Sequence, residues 1–299
     1  MTSARITSDP AALEQAASLR SRVFVGEQGV DPALEFDGRD GEAVHVVLEE
    51  DGPGTTVIGT ARIFDTGSEA VVGRVAVEAD RRGNGFGALV MSVAERWAGE
   101  QGLPAVELHA QEYVTGFYER LGYVGVGDPY EEAGIPHLTM RKQLIPGLRP
   151  VTDEDSAGLI ALIGGVWAEY PTIVFDIDGE EPWLRAPAAA YAGGGELWVV
   201  ASPDGSGLVA SAGWRPYPTG LELKSLYVAA PFRRQGLATR LVRFVERRAG
   251  SPLRAWSDSR FGDSHLMYER LGYRRTGASR ELHDKSATVE YEFVSGGVA

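Results

Sequence analysis

A chain of 299 residues is about twice the length of a typical domain of roughly 100–200 residues, so two globular units are expected. Hydrophobic residues at 43% and charged residues at 24% exclude a disordered or collagen-like chain, and the absence of cysteine excludes disulfide scaffolds, thiolate zinc sites and cysteine nucleophiles. The net charge of −13 argues against nucleic acid and anionic membrane surfaces as partners.

The N-terminus, Met1-Thr-Ser-Ala-Arg-Ile-Thr-Ser-Asp-Pro10, has no apolar signal core, and no run approaches the 18 or so apolar residues of a spanning helix, so a cytoplasmic location is expected. Residues 11–25 read as a helix, followed by strands over 43–48, 56–64 and 70–77. A second helix opens near Gly85 and sets Phe86, Leu89, Val90, Val93 and Trp97 on one face. A strand over 105–110, a helix over 114–121 closed by Gly122, and strands around Tyr123 and over 137–142 follow.

Pro and Gly near residues 144–150 interrupt both patterns and divide the chain into residues 1–145 and 146–299. The second half then repeats the order: a helix over 153–167, a long irregular stretch, strands over 197–201, 207–214 and 221–228, and a helix from Gly236. A strand over 253–256, a helix to Leu271 and closing strands complete it. Early antiparallel strands with a strand-helix-strand-helix tail make the fold class α+β.

The two halves are copies. Phe117-Tyr-Glu-Arg-Leu-Gly-Tyr123 recurs as Met267-Tyr-Glu-Arg-Leu-Gly-Tyr273, and Arg82-Gly-Asn-Gly-Phe-Gly87 recurs as Arg233-Arg-Gln-Gly-Leu-Ala238. The distance from Gly85 to Tyr118 is 33 residues and from Gly236 to Tyr268 it is 32, so two motifs keep one spacing twice. The acid is concentrated in the first copy: residues 1–150 hold 13 Lys and Arg against 23 Asp and Glu, whereas the remainder holds 16 against 19. The histidines His45, His109, His137, His265 and His283 have no helix-face metal spacing, so no metal is expected.

The turn of Arg82, Gly83, Asn84, Gly85, Phe86 and Gly87 places backbone N–H groups at a helix start, where the dipole is positive, which makes an anion site. Arg81 and Arg82 can neutralise the anion, with Arg233 and Arg234 as their counterparts in the second turn, which continues through Gln235, Gly236, Leu237 and Ala238. A dinucleotide fingerprint is excluded, because Glu78-Ala-Asp-Arg-Arg82 separates strand from glycines and the second copy lacks the first glycine. No Gly-Lys-Ser/Thr suggests a P-loop.

A strand followed by Arg/Gln-x-x-Gly-x-Gly/Ala and a helix is the acyl-CoA pyrophosphate motif of the GNAT superfamily, and over nearly its whole length the chain resembles a tandem of two GNAT N-acetyltransferase domains. The first half also resembles the ElaA-like branch through Leu19-Arg-Ser-Arg-Val-Phe-Val-Gly-Glu-Gln28, Asp37, Asp40, His45, Tyr118 and Gly134-Ile-Pro-His137. Arg149-Pro-Val-Thr-Asp-Glu-Asp155 is similar to the usual opening of such a domain.

The resemblance implies a mixed, mostly antiparallel sheet flanked by helices in each half, and acetyl-CoA as cosubstrate without a metal. It implies that the pantetheine arm pairs with the fourth-strand backbone at Val75, Ala76 and Val77 and at Leu226, Tyr227 and Val228, where an N–H polarises the thioester carbonyl. An acceptor amine then attacks directly in a ternary complex. Tyr118 and Tyr268 stand where family members supply the general acid for the thiolate, and a phenol of pKa near 10 can do this. The alternative is that each is a core aromatic. Glu222, Glu107, His109 and His137 are candidate bases beside a water chain, and Trp256 stands where relatives place a polar residue.

Substrate loops carrying Glu27, Asp31, Glu35, Asp37, Asp40 and Glu42, and in the second half Asp176, Asp178, Glu180 and Glu181, suit a cationic small-molecule or peptide amine. A different function class also fits: one or both domains binding acyl-CoA without catalysis, as a structural or sensing module.

Overall fold

In the computed structural model, which describes residues 1–52 and 54–296, the chain divides into two units, Met1–Leu144 and Ile145–Ala299. The first runs β1 (Thr2–Thr7), α1 (Pro10–Arg20), α2 (Pro32–Glu35), β2 (Val44–Glu50), β3 (Thr56–Asp65), β4 (Ala70–Val77), α3 (Phe86–Glu100), β5 (Ala105–Gln111), α4 (Thr115–Arg120), β6 (Val124–Glu132) and β7 (Ile135–Gln143). The second runs β8 (Leu148–Pro150), α5 (Ser156–Trp167), α6 (Pro187–Tyr191), β9 (Glu196–Ala201), β10 (Leu208–Tyr217), β11 (Gly220–Val228), α7 (Leu237–Ala249), β12 (Leu253–Asp258), α8 (Gly262–Arg270), β13 (Tyr273–Glu281) and β14 (Val289–Ser295).

Each unit holds one seven-stranded sheet, in the orders β1-β2-β3-β4-β5-β7-β6 and β8-β9-β10-β11-β12-β14-β13. Neighbours are antiparallel except β4 with β5 and β11 with β12. This is the expected α+β architecture, twice. Helices cover both faces of each sheet, which explains why Val57–Ile63 of β3 are all buried instead of alternating. In β2, Val46 and Leu48 join the core under α3 with Val90 and Met91, while Val47 faces Ala12, Ala16 and Leu19 of α1. The second unit repeats this: Val200 packs with Leu241, Val242 and Val245 of α7, and Leu197 and Val199 with Leu159 and Ile163 of α5.

Local chemistry sets the helix ends. Asp9 accepts from Ala11 N at 3.2 Å and Pro10 opens α1, while Thr152 and Asp155 form a capping box ahead of α5. The helix expected over 11–25 is α-helical only to Arg20 and continues as π-helical turns over Ser21–Glu27. Strands β1 and β8 were not expected, because both are sheet edges with few apolar positions: β1 buries only Thr7, and β8 has three residues. No helix among the described residues is long and apolar enough to cross a membrane.

Candidate active site

Parallel pairing of β4 with β5 runs only from Ala70 opposite Val106 to Val72 opposite Leu108, and that of β11 with β12 from Leu221 opposite Leu253 to Leu223 opposite Ala255. Beyond these points the strands part. The register of β4 against β3 shifts between Thr60 and Arg62, and that of β11 against β10 between Ser211 and Gly213, so each central strand carries a bulge at the mouth of the splay. Arg74 and Ser225, with φ of 53° each, occupy the bulges.

A left-handed conformation at a non-glycine residue persists only where neighbours fix it. Here α2 and α6 do so: Arg74 donates to Leu34 O at 2.7 Å and forms an ion pair with Glu35 at 2.8 Å, and Ser225 Oγ lies 2.9 Å from the Tyr191 hydroxyl. Past the bulge, Val75, Ala76 and Val77, like Leu226, Tyr227 and Val228, have no strand partner on the side of the splay.

In the first unit the splay opens into a cleft of about 1080 Å³ lined by Val75, Ala76, Val77, Arg82, Gly83, Gly85, Phe86, Gly87 and Tyr118. The turn at its end is left-handed at Gly83 (φ 82°) and Gly85 (φ 78°), and in the second unit at Arg234 (φ 63°) and Gly236 (φ 77°). A Cβ at Gly83 or Gly85 would meet nothing within 4 Å, so the space over these N–H groups is open to a ligand oxygen. At Gly87 a Cβ would stand 3.1 Å from Phe117 Cζ, so helix α3 starts close against α4. Asn84 Nδ2 bonds Arg81 O at 3.0 Å and Gln235 Nε2 bonds Pro231 O at 3.1 Å, each bracing its turn. Leu237 and Ala238 pack on the second core.

The turns correct the expected pairing of the arginines. Arg233 is the counterpart of Arg82, since each bonds the last carbonyl of its strand, Arg82 Nε to Val77 O at 3.0 Å and Arg233 Nε to Val228 O at 2.8 Å. Arg234 falls on Gly83, with which it shares a positive φ. Both strand-end arginines also hold a carboxylate from the opposite wall: Arg82 pairs with Glu27 at 2.8 Å and Arg233 with Glu169 at 2.6 Å. Arg81 pairs instead with Glu50 at 3.0 Å and Asp80 at 2.9 Å.

Tyr118 and Tyr268 are buried, at 8% and 6% exposure, in edge or tilted contact with Tyr123 and Tyr273. Burial pushes both phenols well above their ordinary range, so each keeps its proton at neutral pH. Neither hydroxyl has a hydrogen-bond partner among the described residues.

The acidic loops expected to meet the acceptor are not free negative charge. Glu35, 1% exposed, lies between Arg20 and Arg74; Asp37 pairs with Arg62 at 2.7 Å; Asp40 reaches Arg20 and Arg62 at 2.8 Å; Glu42 faces Arg39; and Asp31 caps α2 through Ala33 N. The Arg62 guanidinium holds Asp37 far below the usual carboxylate range. In the second unit Asp176 pairs with Lys285, Asp178 with Arg185 at 2.5 Å, and Glu180 accepts from Lys285 N at 2.6 Å. Glu181, bonded by Trp183 Nε1, is raised by burial. Among the candidate bases, Glu222 is flanked by Lys224 at 3.4 Å and Arg280 at 3.7 Å, Glu107 lies 3.8 Å from His109, and His109 and His137 both line the first cleft. Trp256 lies under the Arg280 guanidinium, 4.4 Å from its ring centroid. Among the described residues no His, Asp and Glu group has metal-site geometry.

The acetyltransferase (GNAT) domain model matches residues 11–144 and the acetyltransferase (GNAT) family model matches residues 165–273. YyaT of Bacillus subtilis (strain 168), described as uncharacterized, is 35% identical over 144 residues, which are 47% of this chain and 94% of that protein. YjcF of the same organism, named an uncharacterized N-acetyltransferase, is 31% identical over 131 residues, 44% of this chain and 91% of that protein. Among solved structures, Escherichia coli ElaA is 28% identical with a TM-score of 0.43, covering 48% of this chain and 99% of its own.

Proposed function

The chain belongs to the GNAT acetyltransferase family and is an acyltransferase with two such domains in tandem, and on that premise we propose that it transfers an acetyl group from acetyl-CoA to an amine by direct attack in a ternary complex. Members of the family draw the acyl group from acyl-CoA, which supplies an activated thioester. The observation that carries the reading is the duplicated splay: a strand edge without a partner, next to a turn with a left-handed glycine at the helix start, under a buried tyrosine whose hydroxyl has no partner among the described residues.

In this reading the N–H groups of the glycine turns and the strand-end Arg82 and Arg233 hold the pyrophosphate. Backbone at Val75–Val77 and Leu226–Val228 takes the pantetheine as an added strand, and its N–H donors favour the charge that develops on the thioester oxygen, an effect worth about 3–4 kcal/mol for a well-placed donor. Tyr118 and Tyr268 give their protons to the departing sulfur. The acceptor is a small-molecule or peptide amine. Preference for a cationic one rests on the overall charge of −13, since the carboxylates at the first cleft are already engaged. Acetyl-CoA offered with a panel of amines tests the reading: amine-dependent release of CoA thiol supports it, and a chain that binds CoA but releases no thiol with any amine would favour a non-catalytic binding module.

A further inference from the structure

The two units repeat each other at the pyrophosphate turn and diverge at the acceptor face. Arg82, Gly85 and Tyr118 recur as Arg233, Gly236 and Tyr268. On the sheet face away from α3, strand register instead sets His109, Tyr130 and His137 of the first unit against Trp256, Arg280 and Glu290 of the second.

His137 stands on β7 opposite Gln111 of β5 and Tyr130 of β6. It is 8% exposed and lines the same cleft as Val75 and Tyr118. Its Nδ1 lies 2.8 Å from Ile135 O. A carbonyl oxygen only accepts, so Nδ1 carries the ring proton and, in the neutral imidazole, Nε2 carries the lone pair. No hydrogen bond among the described residues engages Nε2. Of the other proton acceptors that line the cleft, Glu35 and Asp37 pair with arginines and His109 Nδ1 is bonded to the Tyr130 hydroxyl, while Glu132 stands exposed at the end of β6.

We propose that His137 Nε2 takes the proton of the attacking amine in the first unit, and that the second unit, whose Glu290 at this register position is tied to Arg280 at 2.6 Å, works without an imidazole there. This rests on the acyl-transfer reading. The amine nitrogen forms the C–N bond and the C–S electron pair leaves on sulfur. Tyr118 protonates that sulfur, and His137 receives the surplus amine proton. Return of that proton to the phenolate restores both side chains, so amine and thioester become amide and thiol with no other reactant. The ionisable groups beside the imidazole or sharing its cleft include Tyr130 and Glu132 on β6, His109 on β5 with Glu107 beside it, and Glu35, Asp37, Arg39, Arg62 and Arg74 on the other wall.

The test uses the full chain carrying Gly236→Glu, which silences the second turn. Adding His137→Gln, whose amide can still donate to Ile135 O, should lower kcat/KM with the best amine about 100-fold and abolish the acid limb of its pH profile, with CoA affinity within about twofold of the parent. Nitrogen-15 shifts of a histidine-labelled chain should show the Nδ1–H tautomer at His137. Turnover within about twofold of the parent, an unchanged acid limb, an Nε2–H tautomer, or loss of CoA binding in step with turnover would each overturn the assignment. A wild-type chain with no amine-dependent turnover would end the acyl-transfer reading as well, whereas turnover retained in His137→Gln ends only the role of His137.

Discussion

Replacing Glu27 or Glu169 by glutamine should tighten CoA binding. In the proposed site each carboxylate would compete with pyrophosphate for a guanidinium that stays in place without it, since Arg82 Nε is held by Val77 O and Arg233 Nε by Val228 O. Both ion pairs are solvent-accessible, with side-chain exposures of 45% and 40% for Arg82 and Glu27, and 32% and 39% for Arg233 and Glu169. Pairs of this kind are worth about 0.2–1 kcal/mol, so releasing the arginine corresponds to roughly a 1.4- to 5-fold gain in affinity at one site per substitution. Isothermal calorimetry with CoA at low salt reads this directly, and the gain should shrink at high salt as screening weakens the pair. Pantetheine lacks the pyrophosphate and should bind wild type and variants alike. Weaker CoA binding in Glu27→Gln and Glu169→Gln would refute the reasoning and mark the carboxylates as supports for the arginines.

Tyr118→Phe or Tyr268→Phe should reduce turnover in its own unit about 100-fold while CoA affinity and melting temperature hold, because neither hydroxyl has a structural bond to lose; full activity in the double variant would make both core aromatics. Gly213→Ala should destabilise the second unit by roughly 1–3 kcal/mol in denaturant titrations, since a Cβ there would stand 2.3 Å from Glu196 O of the neighbouring strand; an unchanged midpoint would refute that steric argument. For a cationic acceptor KM should rise with ionic strength beyond the range where the Debye length falls to about 8 Å, and a KM indifferent to salt would remove the charge argument.

The glycine turns were legible in the sequence because their signal is contiguous. Glycines at fixed offsets before a helix and the Tyr-Glu-Arg-Leu-Gly-Tyr segment appear twice at nearly one spacing, and the strand expected over 70–77 is the strand observed, Ala70–Val77. What stayed hidden depends on partners distant in sequence. Arg74 and Ser225 carry no residue-type signal for a left-handed bulge, and only strand register reveals it. Arg82 and Glu27 are 55 residues apart, and Arg233 and Glu169 are 64 apart. The ion pairs of the acidic loop stayed hidden for the same reason: its carboxylates lie close together in sequence, but Arg20, Arg62 and Arg74, which pair with them, come from α1, β3 and β4. His137 could be placed near the cleft by its motif, but the hydrogen bond of its Nδ1 to Ile135 O, two residues back on β7, is seen only in the structure.

Binding of acyl-CoA at the glycine turn of both units is read out by calorimetric stoichiometry. Wild type should bind two CoA per chain. Gly85→Glu and Gly236→Glu, each placing a carboxylate at a left-handed position of φ 78° or 77° in the turn, should each leave one site, and the double variant none. A wild-type stoichiometry of one or zero, or two sites persisting in either single variant, would contradict the account.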